Sequence, residues 1–95
     1  MERKLAKSTT QIDNKRVKVT RWDFSRGAET GWHKHNMNYI VVPLTNGSLD
    51  AVLPDGKIIK NNLTVGESYT RTKGTEHNII NTSEGDFSFI EIELK

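Results

Sequence analysis

The side chains best suited to chemistry in this chain are three histidines, His33, His35 and His77. The first two lie two residues apart in Trp32-His33-Lys34-His35-Asn36-Met37-Asn38-Tyr39, a stretch that reads as extended chain. On a strand, residues i and i+2 point to the same face about 7 Å apart, so two imidazoles at this spacing converge on one ion. On a helix they would diverge. The chain has no cysteine, which removes disulfides, thiolate chemistry and Cys-based zinc sites. His, Asp, Glu and Tyr remain as ligand types.

The elements that position these side chains read as short strands. No segment sustains a 3.6-residue apolar period. Val17–Phe24 reads as a strand with a kink, because Val17/Val19 and Trp22/Phe24 fall on opposite parities. Tyr39–Leu44 is a second apolar run, with Pro43 expected at a strand end, edge or bulge. Asn46-Gly47 then signals a hairpin, and Pro54-Asp55-Gly56 a second turn. Further strand-like runs follow around Ile58, Tyr69, His77–Asn81 and Phe87–Leu94. Seven or eight strands at this spacing predict an antiparallel sandwich or barrel.

Length sets one domain, small enough to gain from dimerisation. Residues 1–14 are polar and read as a basic N-terminal arm, frayed or unstructured, before a β domain over 15–95. The net charge is only +2 but uneven: residues 1–21 carry seven Lys or Arg against two acids. No aromatic residues are interleaved with those charges to stack on bases, so nucleic acid is not an expected partner. No apolar run approaches the roughly 20 residues of a membrane span, and no hydrophobic signal region follows the N-terminal charges. The expectation is a soluble, cytoplasmic protein with no membrane partner.

Two spaced motifs resemble those of the cupins, a superfamily of small β-barrels. Gly27, five residues, His33-Lys34-His35, three residues, Tyr39 and then Gly47 match the first cupin motif. Gly66, five residues, Thr72-Lys73-Gly74, two residues, His77, three residues and Asn81 match the second. The resemblance implies a single-domain, RmlC-like cupin, all-β, with an antiparallel β-barrel or jelly roll. There are two departures. Thr72 stands where the motif has Pro, and Tyr39 (or Ile40) stands where it has a metal-binding Glu. Gly47 also falls one residue late, which predicts a bulge or a longer turn near Pro43. By similarity with metal-binding cupins, His33, His35 and His77 would hold one divalent transition metal (Zn, Fe, Ni, Mn or Cu). The fourth position would go to Tyr39, water or substrate. The string Gly27–His35, with Tyr39–Gly47, Glu76-His77-Asn78 and the terminal Ile90–Lys95, is similar to the single-domain cupins labelled β-alanine degradation proteins. Small cupins commonly pair, which implies a homodimer.

These residues lead to three functional expectations. The first is a metal-dependent enzyme acting on a small polar or anionic metabolite, with the Tyr39 phenol assisting proton transfer. The second is a non-enzymatic sensor or storage module that binds a small molecule. The third is metal-independent isomerase chemistry with His33 or His77 as base. Asn81 shares parity with His77 and is read either as an orienting residue or as a turn terminator. Glu91 and Glu93 share one face of the last strand, read as solvated or as pointing into the barrel. Arg71 and Lys73 are candidates to receive an anion at the mouth, against plain surface solvation. Trp22 and Trp32 are expected to pack as walls or at an interface.

Overall fold

The structure is a computed structural model that describes residues 3–95. The first two residues of the expected basic arm lie outside the described residues. Among the described residues, nine strands form two antiparallel sheets. They are β1 (Lys7–Asp13), β2 (Val17–Phe24), β3 (His33–Lys34), β4 (Asn38–Pro43), β5 (Gly47–Val52), β6 (Ile58–Leu63), β7 (Tyr69–Arg71), β8 (Glu76–Asn81) and β9 (Phe87–Leu94). One sheet has the order β1-β2-β9-β4-β7 and the other β3-β8-β5-β6. The all-β antiparallel sandwich expected from the strand spacing is the observed architecture.

Alternation along β9 sets the inner face. Phe87, Phe89 and Glu91 are buried, while the intervening Ser88, Ile90 and Ile92 are only partly so. The cross-strand partners Phe24, Trp22 and Thr20 on β2, and Val41 and Tyr39 on β4, share that inner face. Phe24, Ala28, Tyr39, Val41, Leu49, Phe87 and Phe89 form the core cluster. The kink expected in β2 is absent. Its register against β9 runs unbroken from Val17↔Leu94 to Phe24↔Phe87, and the apolar parity change reflects side chains on both faces. The sheet's one irregularity on this side lies in β1, between Thr10 and Ile12.

The segment read as a frayed arm contains a strand. All seven residues of β1 are exposed, so it presents no buried/polar alternation to reveal itself. Its backbone is nevertheless paired to β2 through Thr9↔Arg21 and Thr10↔Thr20. Upstream of it, Ala6 N donates to Glu29 O at 2.8 Å and Glu29 N donates to Lys4 O at 2.9 Å. The start of the chain thus straps down the loop that precedes His33.

Asn46-Gly47 is not a hairpin turn. β4 and β5 lie in different sheets, and 44–46 carries the chain between them. Gly47 lacks the positive φ that a two-residue hairpin turn of that type requires. Its role is spatial: a Cβ there would collide with Ser83 Oγ and sit 2.8 Å from Phe87 Cδ2. Pro43 ends β4, as expected, and β4 pairs with β9 without a register shift, so the extra residue of the motif resides in the connection. Pro54-Asp55-Gly56 does close a hairpin, between β5 and β6. Gly56 there has φ +87°, and Leu53 N donates to Lys57 O at 2.8 Å.

Candidate metal centre

Two local features bring the histidines together. His33 and His77 are direct cross-strand partners in the β3–β8 pair. His35 follows His33 by two residues, and extended geometry turns its ring to the same side. That geometry is held at the backbone, where His35 N donates to Thr75 O and Gly74 N donates to His35 O, each at 2.8 Å. The result is convergence of the ring nitrogens. Nε2 of His33 and Nε2 of His35 are 3.1 Å apart, and Nε2 of His35 and Nε2 of His77 are 3.2 Å apart. The rings meet edge to face, with interplanar angles of 80°, 69° and 87°.

These separations fit a shared ion. With metal–nitrogen bonds of about 2.0–2.1 Å, neighbouring donors lie about 3.0 Å apart at right angles and about 3.4 Å apart in a tetrahedron. The protonation of His33 fits as well. Its Nδ1 lies 2.9 Å from the carbonyl oxygen of Gly31, which can only accept, so Nδ1 carries a proton and Nε2 is the nitrogen left facing the other two rings. Burial holds the other two imidazoles neutral. His35 is lowered to about 4 by burial, reinforced by His33, and His77 to about 3 by burial, then by His33 and His35. Neutral imidazole is the ligating form.

A hydrogen-bonded chain that sequence reasoning missed aims the Gly31 carbonyl. Asn78 Nδ2 donates to Glu29 Oε1 at 2.6 Å, and Asn78 Oδ1 accepts from Gly31 N at 3.0 Å. Thr30 Oγ1 accepts from Ile79 N at 3.1 Å and donates to Gly31 O at 2.9 Å. Gly31 itself sits at φ +86°, a conformation open to glycine at no steric cost. Asn78 escaped notice because it has opposite parity to His77 and reads as outward-facing. The loop strapped across β8 buries it. Asn81 has no part in this. Its Nδ2 donates to Ser25 O and Gly85 O, and its Oδ1 accepts from Ser83 N, so it ties loops together.

The histidines open onto a cavity of about 240 Å³. Tyr39 forms its wall, with its ring stacked on His35 at a centroid distance of 3.8 Å and an angle of 20°. The Tyr39 hydroxyl is buried and has no hydrogen-bond partner. Burial, helped by Glu91, pushes its pKa up, so the phenol keeps its proton and acts as a donor. Trp22 also lines the cavity, its buried indole N–H on the side of Glu91. Glu91 and Glu93 face inward too, contrary to the solvated reading, because Phe87 and Phe89 fix the inner parity of β9. Burial, then repulsion from Glu93, raises Glu91 to about 7. Other candidates lie outside. Arg71 is exposed and stacks over Tyr69 at 4.6 Å, Lys73 is exposed, and Trp32 is 56% exposed.

No protein-family model matches the chain. The β-alanine degradation protein BauB of Pseudomonas aeruginosa is 47% identical over 87 residues, which cover 92% of this chain and 90% of BauB. A cupin domain from Bordetella pertussis Tohama I, solved by crystallography, is 55% identical, with a TM-score of 0.96 over 100% of this chain and 98% of that one. The chain belongs to the cupin superfamily. An RmlC-like cupin from Shewanella frigidimarina, 20% identical, superposes with a TM-score of 0.70 over 94% of this chain and 75% of its own. That likeness speaks for the fold. Within this cupin, the three motif histidines meet at one point and the position of the motif Glu is taken by Tyr39, whose ring backs a histidine.

Proposed function

We propose that this cupin is a metal-dependent enzyme acting on a small polar metabolite, in the breakdown of β-alanine or a chemically related compound. One observation carries the reading. Three imidazole nitrogens converge beside a cavity in which a buried tyrosine hydroxyl has no partner among the described residues. His33, His35 and His77 would hold one divalent transition metal. When bound, such an ion supplies Lewis acidity at an oxygen donor or, if it is iron(II), a site for oxygen chemistry.

The chain's own residues supply the rest. Gly31, held by Asn78, keeps Nδ1 of His33 as a donor, so Nε2 is the nitrogen offered to an ion. The face of Tyr39 locks the rotation of His35. The Tyr39 hydroxyl, protonated at neutral pH, donates a hydrogen bond to a substrate oxygen and can pass that proton to a developing negative charge. Phe89 and Tyr69 add apolar surface to the cavity wall. The test is elemental analysis of untagged protein beside a His33→Ala/His77→Ala double variant. Stoichiometric transition metal in the wild type, and none in a still-folded variant, is the expected result. Failure to take up any of the five candidate ions would overturn the reading. A ligand that stabilises the metal-loaded protein yet is recovered chemically unchanged would assign it to binding in place of catalysis.

A further inference from the structure

The three-histidine face uses one end of the cavity. Beside it lies a second pole. Alternation along β9 carries Glu91 and Glu93 inward beyond the core phenylalanines, and both line the cavity. His35, Glu91 and Glu93 bring one ligand atom each within 4.8 Å of one another, whereas neither carboxylate joins a group with His33 and His77. The carboxylates therefore stand beside the histidine face, with His35 as the shared wall.

Lys18 acts on Glu91 from a distance, but neither carboxylate is ion-paired among the described residues. Glu91 is 8% exposed. Lys18 is the cross-strand partner of Glu93 without bridging it, and Lys34 is exposed at the cavity rim. Burying carboxylates without a counter-charge is costly, and a ligand carrying positive charge recovers that cost. An independent observation points the same way, toward a ligand that also bears oxygen. The Tyr39 hydroxyl, in a residue 2% exposed, is a donor without an acceptor among the described residues on the same cavity wall.

We propose that the cavity selects a short two-ended ligand, with an ammonium group seated between Glu91 and Glu93 and an oxygen-bearing group at the histidine face near the Tyr39 hydroxyl. The oxygen end rests on the metal-centre reading above; the ammonium end does not. A wholly anionic ligand is disfavoured by the carboxylate pair. The volume suits a molecule of a few heavy atoms, since about 240 Å³ equals roughly eight water-sized volumes.

The test is calorimetric titration of the purified protein, its metal content measured, with β-alanine, propionate and propylamine. These three probes differ only in which end is present. β-Alanine is expected to bind at least about tenfold more tightly than propionate, a difference of about 1.4 kcal/mol. In a Glu91→Gln/Glu93→Gln variant that preference disappears while metal content stays at the wild-type value. Equal or tighter binding of propionate, persistence of the preference in the variant, or binding of none of the three would overturn the proposal. The two readings fail separately. An amine preference in protein that takes up no metal upholds the ammonium subsite and rejects the metal centre; stoichiometric metal with no amine preference does the reverse.

Discussion

Asn78→Ala removes both ends of the bridge between Glu29 and Gly31. The native side chain is buried, with contacts of 2.6 Å to the Glu29 carboxylate and 3.0 Å to the Gly31 N–H. Truncation leaves the Gly31 N–H without its acceptor, while the partly exposed Glu29 regains water. The expected loss of stability is about 1–3 kcal/mol. In a domain of this size each kcal/mol lowers the melting temperature by roughly 4–8 °C. The effect on the site is a separate quantity. The Gly31 carbonyl fixes the proton on Nδ1 of His33, and partners that orient a ligating histidine in this way are worth about 10- to 100-fold in metal affinity. Urea denaturation of metal-free protein reads the first quantity. Competition for zinc against a chromophoric chelator reads the second. A variant that loses stability as stated but binds zinc with wild-type affinity would refute the claim that Asn78 acts on the histidine face through Gly31.

The pH dependence of the metal-free protein has a defined sign. His35 and His77 are lowered from 6.5 to about 4 and about 3, so their contribution is full above 6.5 and is lost as pH falls through the folded-state values. Glu91 is raised from 4.5 to about 7, so its contribution is present below 4.5 and is lost as pH rises through 7. Urea midpoints should therefore rise from acid toward a maximum in the mildly acidic range and then decline. A curve that climbs steadily into the alkaline range would contradict the assignment of Glu91. Glu91→Gln should accordingly flatten the upper limb and raise stability in mild alkali by about 1–3 kcal/mol, with little change below pH 4.5. Equal urea midpoints for variant and wild type across that range would count against it. Gly47→Ala meets Ser83 Oγ, which is held by Ser48 N at 2.8 Å, and the fully buried Phe87, so neither neighbour can yield cheaply. It should cost about 1–3 kcal/mol in thermal or urea denaturation and leave metal uptake unchanged.

What the residues disclosed, and what they concealed, follows from where each kind of signal resides. The i, i+2 spacing of His33 and His35 is a property of extended backbone, so their convergence was legible before any fold was known. The β5–β6 hairpin was legible because Pro54-Asp55-Gly56 carries its own turn chemistry. β1 was not, because a strand with every side chain exposed has no buried face to print on the sequence. Asn46-Gly47 misled for a related reason. Glycine is demanded equally by a tight turn and by a crowded neighbour, and only the proximity of Phe87 and Ser83 tells which. In β9 both parities are apolar in part, Phe87/Phe89 on one and Ile90/Ile92 on the other. Which pair faced inward, and so which way Glu91 pointed, depended on the partners β2 and β4.

That last ambiguity bears on how this cupin distributes charge. Where the first motif has a carboxylate, Tyr39 supplies a phenol whose pKa burial drives upward, so it adds no negative charge to the histidine face. A carboxylate nonetheless reaches the same cavity from the neighbouring strand. Glu93 is the register partner of Tyr39, and Glu91 lies two residues earlier. Neither stands in a group with His33 and His77. A divalent ion held by three neutral imidazoles would keep its full charge, part of which a coordinating carboxylate would offset. The carboxylates would then be free for the ammonium end of the proposed ligand. On the proposed reading, the replacement of Glu by Tyr in the motif and the inward turn of Glu91 and Glu93 would be two halves of one arrangement, with a metal-binding face and a carboxylate wall meeting at His35.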